Sequence, residues 1–298
     1  MSSKEFLPVT KTRRAFLKAT GLLLGSTIAA EKKEPILRFG LLTDPHYADR
    51  AVLGTRYYRE SKSKMKECID FMNREKVTFL AELGDLKDQR NPALEEDTLR
   101  FLKEIEAVFA GFKGPRYHVL GNHDMDSITK KQFLGEVENT GIEKDRSYFS
   151  YDQKGVHFIV LDANYLLDGS DCAPGNFKWT DTHVPEKELT WLAKDLQATS
   201  LPVIILANQR LDGSGTHFVN NSDEVRYILE MSGKVLAVFQ GHDHPGHHQV
   251  IKDIHYYTLK AMVEGTGKKN SSYAIVEVHA NHDLIVNGYR RAVDRTMK

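Results

Sequence analysis

The chain has 298 residues, 41% of them hydrophobic and 28% charged, and its 41 basic residues are matched by 41 acidic ones. That length and balance suit one large α/β domain of ordinary globular composition. No stretch carries the ~18 uninterrupted apolar residues of a membrane-spanning helix, so no membrane anchor is expected. No excess of positive charge points to nucleic acid as a partner.

The N-terminus reads as separate from the fold. Lys11-Thr12-Arg13-Arg14-Ala15-Phe16-Leu17-Lys18 is a basic patch with paired arginines, followed by a modest apolar stretch over residues 21–30 that ends in small residues. A charged region, a short apolar core and a small-residue end make the layout of a secretory signal. The run resembles the twin-arginine export signal, an address read by the export machinery and not an anchor. The other reading is a basic amphipathic helix kept in the mature protein. The expected division is therefore a signal peptide at 1–30 and one domain at 31–298, exported to the periplasm or beyond the cell. Residues 1–30 hold five of the basic residues and one acidic residue, so the remainder has 36 and 40, a net charge of −4. Such a surface gives no long-range capture of a phosphate polyanion, and positive charge must then come from metals or placed arginines.

From Pro35 onward two patterns alternate. Residues 36–42 form a short apolar run ending at Thr43-Asp44-Pro45, which predicts a buried strand entering a loop. Residues 58–75 carry Met65, Ile69 and Met72 on one helical face. Residues 77–83 predict a second strand, stopped by Gly84-Asp85. Leu99, Leu102, Ile105 and Val108/Phe109 predict a second amphipathic helix. Residues 117–120 predict a third strand, stopped by Gly121-Asn122-His123-Asp124. Further strands are expected at 147–152, 156–161, 202–207 and 235–239, with helices near 186–198 and 225–231 and three strand-like runs to finish. The strand–helix alternation is that of βαβ units and a largely parallel sheet. A four-layer α/β/β/α sandwich fits this order, and a doubly wound single sheet fits the pattern as well.

Metal-ligand residue types recur at one structural place. The first three strands end in Asp44-Pro45-His46, Gly84-Asp85 and Gly121-Asn122-His123-Asp124, and a later one ends in Gly241-His242-Asp243-His244. Carboxyl ends of strands form the crevice where α/β proteins bind ligands. Each cluster alone reads as a turn or a helix cap. Four of them at strand ends assemble a site of Asp, Asn and His, whose oxygen and imidazole donors suit Mn²⁺, Zn²⁺ or Fe better than Mg²⁺ or Ca²⁺.

Taken together, Asp-x-His, Gly-Asp, Gly-Asn-His-Asp and Gly-His-x-His resemble the signature of the calcineurin-like metallophosphoesterases, over residues 36–290. The resemblance implies the α/β/β/α sandwich and two divalent metal ions (Mn, Fe or Zn). It implies Asp44, His46, Asp85 and His244 on the first ion, and Asp85, Asn122 and His242 on the second. His123 would be the active-site histidine, oriented by Asp124. Two such ions activate water for attack on phosphorus. The family usually places a histidine after the strand at 202–207, where this chain has Asn208-Gln209-Arg210-Leu211-Asp212. Asn208 offers only a neutral carbonyl oxygen, so the second ion is expected to be held loosely, or through Asn208 and water.

A narrower likeness follows from Gly54-Thr55-Arg56-Tyr57-Tyr58-Arg59, residues 256–265 and residues 292–297. These resemble the manganese-dependent ADP-ribose/CDP-alcohol diphosphatases, although His46 stands where those enzymes are expected to carry glutamine. Arg56 and Arg59 are then candidate contacts to a small phosphorylated substrate, the alternative being a solvated helix start. His247 and His248 are expected on a strand surface. Trp179 and Trp191 are expected in core packing or a lid, in preference to a substrate platform. Residues 163–185 lack a strong period and are the candidate segment for such a lid. Cys68 and Cys172 are expected to remain unbridged. The resulting expectation is an exported phosphodiester or phosphoanhydride hydrolase. A broad phosphomonoesterase that scavenges phosphate is the rival within enzymes, and a degenerate, non-catalytic phospholigand-binding relative is the rival outside them.

Overall fold

Residues 34–298 are the part of the chain that the computed structural model describes, so the expected export segment at residues 1–30 lies outside the described residues. The first half runs β1 (Leu37–Leu42), α1 (Ser61–Glu75), β2 (Leu80–Glu82), α2 (Glu95–Phe109), β3 (Arg116–His118) and α3 (Lys130–Glu136). The second half runs β4 (Phe149–Gln153), β5 (Val156–Val160), α4 (Glu186–Ala198), β6 (Val203–Leu206), α5 (Ser222–Ser232) and β7 (Val235–Gln240). It closes with β8 (His247–Ile251), β9 (Ile254–Thr258), β10 (Ser272–Val278), β11 (Leu284–Arg290) and β12 (Arg295–Met297).

The strands divide between two six-stranded sheets, ordered β12-β11-β10-β1-β2-β3 and β4-β5-β6-β7-β9-β8. The single-sheet alternative therefore gives way to the four-layer sandwich. In the first sheet β1, β2 and β3 are parallel; in the second β5, β6, β7 and β9 are. Three apolar layers account for the stacking. Met65, Ile69 and Met72 of α1 and Phe101, Leu102 and Ile105 of α2 cover the outer face of the first sheet. Leu189 and Leu192 of α4 and Val225 and Leu229 of α5 cover the outer face of the second.

Between the sheets the alternate residues of β1 point inward, and Phe39 sits at the centre. Its ring stacks on Phe79 with centroids 5.0 Å apart and meets Phe158 and Phe239 edge-on at 5.2 and 6.0 Å. A fully buried aromatic in such a cluster stabilises by ~3–5 kcal/mol relative to alanine. This clamp fixes the two sheets against one another, and with them the two sets of strand ends.

Some expectations needed adjustment. Five strands follow residue 246, where three were anticipated. The second and third strands hold only three residues each, because extended loops carry their flanks. Helix α3 was not anticipated, being seven residues long with little room to display a period. Its capping box, Thr129 with Gln132, was present in the sequence as a start signal. Cys68 and Cys172 are separate, buried free thiols. No helix among the described residues is long and apolar enough to cross a membrane.

Candidate active site

The strand ends converge along one edge of the sandwich. Asp44 follows β1, Asp85 follows β2, Asn122 and His123 follow β3, Asn208 follows β6, and His242 and His244 follow β7. The backbone there is unusual. Asp44, His46, Asp85 and His242 all adopt left-handed φ values, of 51°, 46°, 57° and 64°. Aspartate and histidine tolerate that region better than most side chains, but it still costs energy, and such residues cluster at functional sites. Two glycines bring the loops together. A Cβ on Gly121 would overlap the backbone and carboxylate of Asp85, and one on Gly241 would overlap Thr43 and the Asp44 carboxylate.

This packing gathers the donors. His46 Nε2 lies 3.6 Å from Asp44 Oδ1, 3.6 Å from Asp85 Oδ2 and 3.2 Å from His244 Nε2. His244 Nε2 is 3.8 Å from Asp44 Oδ1, and His242 Nδ1 is 3.9 Å from Asp85 Oδ2. Asp44, Asp85 and His46 are almost fully buried. Asp44 is held by the Thr43 hydroxyl (2.6 Å) and by the His242 N–H, 3.1 Å from each of its oxygens. Asp85 Oδ1 accepts from the His123 N–H at 2.7 Å. It is therefore Asp85 Oδ2 that faces both His46 and His242.

The electrostatics of this cluster call for positive charge. Burial alone would lower the His46 pKa, yet the charge of Asp85 and hydrogen bonding to Asp44 and Asp88 raise it to about 10. Burial alone would raise Asp85, but the facing His46 and His242 rings hold it far below the usual carboxylate range. Buried amide groups also lack internal partners. Both side-chain atoms of Asn122 are unpaired. Asn208 donates its Nδ2 to the Leu83 carbonyl at 2.8 Å, leaving Oδ1 buried and unpaired. Unpaired buried carbonyl oxygens beside carboxylates and imidazoles are what divalent cations of the Mn, Fe or Zn type take up, so these residues fit such ions.

Around the donors sits a second set of groups, few of which stand out in the sequence. Asp88 is buried, with Oδ2 3.3 Å from His46 Nδ1 and 3.7 Å from His123 Nδ1. Asp126 Oδ2 lies 3.4 Å from the same His123 nitrogen. Asp124 does not orient the His123 ring as expected. Its carboxylate accepts from the backbone N–H groups of Gly121 (2.9 Å), Asp85 (3.0 Å) and Lys87 (3.3 Å), bracing the Asp85 loop. Burial and then the charge of Asp85 push its pKa up to about 7. Glu264 accepts from His244 Nδ1 at 2.6 Å, a bond that holds its carboxyl down at about 2. The buried Lys64 donates to the carbonyls of Met262, Glu264 and Gly265 at 2.9, 3.1 and 2.6 Å, fixing the segment that presents Glu264.

The two arginines separate. Arg56 lines the cavity above the donors, whereas Arg59 is 60% exposed and paired with Asp49 at 2.5 Å on the surface. A tight turn at 53–56, closed by the Arg56 N–H on the Leu53 carbonyl at 3.0 Å, sets Arg56 at the cavity, and the following 3₁₀ turn at Tyr58–Glu60 carries Arg59 to the surface. The cavity is about 230 Å³ and is also lined by His123, Trp179 and His217, beside His242 and His244. A larger groove, about 490 Å³, lies between α4 and α5 and contains none of the strand-end residues.

Residues 163–185 fold back on themselves through bridges from Tyr165 to Asp171 and His183, and they cover part of the site. Phe177 lies 5.6 Å from the His123 ring, and Trp179 lies 5.5 and 5.9 Å from His217 and His242. Trp191 instead packs on Tyr148 and the core under α4. In the departing segment after β6, Arg210 forms ion pairs with Asp212 (2.9 Å) and Asp243 (2.6 Å), tying that loop to the Gly-His-Asp-His turn. His247 and His248 lie on β8, at the surface as expected.

Comparison with known proteins gives concordant likenesses. The family described as calcineurin-like phosphoesterase matches residues 37–246. The chain is 27% identical over 312 residues to the manganese-dependent ADP-ribose/CDP-alcohol diphosphatase of Oryza sativa subsp. japonica, covering 89% of this chain and 95% of that one. It is 25% identical to the Arabidopsis thaliana protein of the same name, covering 84% and 93%. A solved dimetal phosphatase from Danio rerio shares the fold at a TM-score of 0.77 and 21% identity, covering 89% of this chain and 99% of that one.

Proposed function

The chain belongs to the calcineurin-like phosphoesterase family, and on that footing we propose that it is a metal-dependent hydrolase of nucleotide diphosphate compounds of the ADP-ribose and CDP-alcohol kind, working outside the cytoplasm. The observation that carries the reading is the convergence of five strand ends on buried donors, two of them amide groups with unpaired oxygens. The substrate class is supported by relatives named for it, aligned over most of both chains.

In this reading Asp44, His46, Asp85 and His244 would hold one ion, and Asp85, Asn122, His242 and Asn208 would hold the other. When bound, the ions acidify water and offset charge on the phosphoryl oxygens. The remaining work falls to the chain. His123, its Nδ1 turned toward Asp126 and Asp88, presents the other ring nitrogen to the cavity and can protonate the leaving oxygen. Asp124 holds the Asp85 loop in its left-handed turn, so the shared carboxylate keeps its aim. Arg56 pairs with the phosphate that is not attacked. Phe177, 5.6 Å from the His123 ring, limits the entry of bulk water beside it. Residues 1–30 serve as the twin-arginine signal, leaving 31–298 as the mature enzyme.

Phosphorus NMR of residues 31–298 with Mn²⁺ and a mixture of a monoester, a cyclic nucleotide, an aryl diester, ADP-ribose and a CDP-alcohol tests the proposal. Loss of the diphosphate signals alone, abolished in His123→Ala, is the expected result. Faster loss of the monoester would replace this reading with phosphate scavenging.

A further inference from the structure

Seven of the eight side chains lining the cavity are histidine, aspartate or arginine, and the eighth is Trp179. It is 41% exposed, while the other tryptophan, Trp191, packs against the core. An indole left this exposed at the rim of an otherwise ionic cleft keeps a flat apolar surface to offer a ligand.

Its position is fixed. The turn that carries it closes with the Asp181 N–H on the Lys178 carbonyl at 2.8 Å. The next residues are tied on both sides, Thr182 accepting from the Asn220 N–H at 2.9 Å and His183 donating to Ala163 at 2.9 Å. The indole rests against the rings of His217 and His242, at interplanar angles of 48° and 45°. His217 is itself held, because its carbonyl accepts from the Arg210 N–H at 3.1 Å. A ring ordered before the ligand arrives loses little entropy on stacking.

The cavity also has a direction. Trp179 flanks the His242 side of the donor cluster. Arg56 belongs to the His244 side, where its backbone bridges Glu264, the partner of His244. A ligand spanning the cavity meets an aromatic face at one end and a guanidinium at the other.

We propose that Trp179 is the stacking platform for the base of the substrate, so that the nucleoside end lies over His217 and His242 and the second phosphate reaches toward Arg56. This rests on the diphosphatase reading and adds to it the orientation of the substrate and the residue that selects a nucleotide over other diphosphates. Stacking of a base on an aromatic side chain is worth about 1–3 kcal/mol, so removing the ring costs about tenfold in affinity.

The two tryptophans make the test direct. The manganese-loaded protein is titrated with AMP and, separately, with ribose 5-phosphate while indole fluorescence is followed. AMP quenches and ribose 5-phosphate does not; Trp179→Phe abolishes the quench and Trp191→Phe keeps it. In turnover, Trp179→Ala raises KM for ADP-ribose about tenfold, leaves KM for methyl diphosphate unchanged, and is largely rescued by Trp179→Phe. A quench that survives in Trp179→Phe, or a KM change shared by both substrates, overturns the platform. A Trp179-dependent AMP quench in a protein that hydrolyses no diphosphate supports the platform and overturns the diphosphatase reading instead.

Discussion

Asp88 Oδ2 lies 3.3 Å from His46 Nδ1, while Nε2 of the same ring faces Asp44, Asp85 and His244. One imidazole thus spans from the donor cluster to a buried carboxylate, whose charge favours a proton on Nδ1 and leaves Nε2 toward the donors. Asp88 is itself secured by the Gln89 N–H at 2.7 Å and by Arg50 at 3.2 Å. Replacing Asp88 by Asn keeps the shape and removes the charge. We expect Asp88→Asn to weaken metal affinity by roughly 10–100-fold, with melting of the metal-free protein little changed. Calorimetric titration with Mn²⁺ measures it, and wild-type affinity in the variant would mean that Asp88 only fills space.

Asn208 puts an amide where relatives are expected to place imidazole, and its Oδ1 is buried without a partner. A neutral carbonyl is the weaker donor, so two classes of bound metal are expected, one lost on dialysis against a mild chelator. Asn208→His should tighten the weaker class and Asn208→Ala should loosen it further. Two equivalents retained by the wild-type protein after such dialysis would contradict the assignment.

Stability should fall on the alkaline side because of a buried group that does not line the cavity. His118 sits between Glu106 (3.0 Å) and Glu82 (3.5 Å) under α2. Burial opposes its protonation, but the charges of Glu106 and Glu82 and hydrogen bonding to both together outweigh it and raise the pKa from 6.5 to about 9. A histidine raised on folding adds stability that is complete below 6.5 and lost as pH climbs through 9. Glu82, raised by burial from 4.5 to about 8, has the same sign: its contribution is complete below 4.5 and lost through 8. The melting temperature should therefore drop between pH 6.5 and 9. Glu82→Gln, which mimics the protonated acid, should flatten that drop, and an unchanged slope would remove Glu82 from the account.

The proposed export signal places its recognition on Arg13 and Arg14. Conservative replacement of both by lysine keeps the charge and removes the pair that the receptor reads. The double variant should accumulate in the cytoplasm at full length, while the natural chain appears outside it with about 30 residues removed. Equal distribution of the two in cell fractions would refute the signal.

The site was more legible in the sequence than its support. Asp44, His46, Asp85, Asn122, His242 and His244 follow strands whose apolar runs are visible in one dimension, and a turn glycine marks several of them. Asp88 and Asp126 sit in loops with no period, and only folding brings them to the histidines. The role of Asp124 came from the family likeness, which does not show where its carboxylate points. The 3₁₀ turn at Asn122–Met125 points its carboxylate back at the backbone. Trp179 and His217 belong to segments of weak pattern, and a tryptophan there reads as core until its exposure is known. Arg59 failed for the opposite reason, since it shares a short run with Arg56 but faces the other way.

Bound manganese measured against turnover tests the central claim most directly. Mn²⁺ is added stepwise to the metal-free protein, bound metal is counted by equilibrium dialysis, and conversion of ADP-ribose to AMP and ribose 5-phosphate is followed in the same samples. The account predicts turnover that rises with occupancy to two ions per chain, and neither full occupancy nor turnover in Asp85→Asn. Hydrolysis that is complete in the metal-free protein, or undiminished in Asp85→Asn, would contradict it.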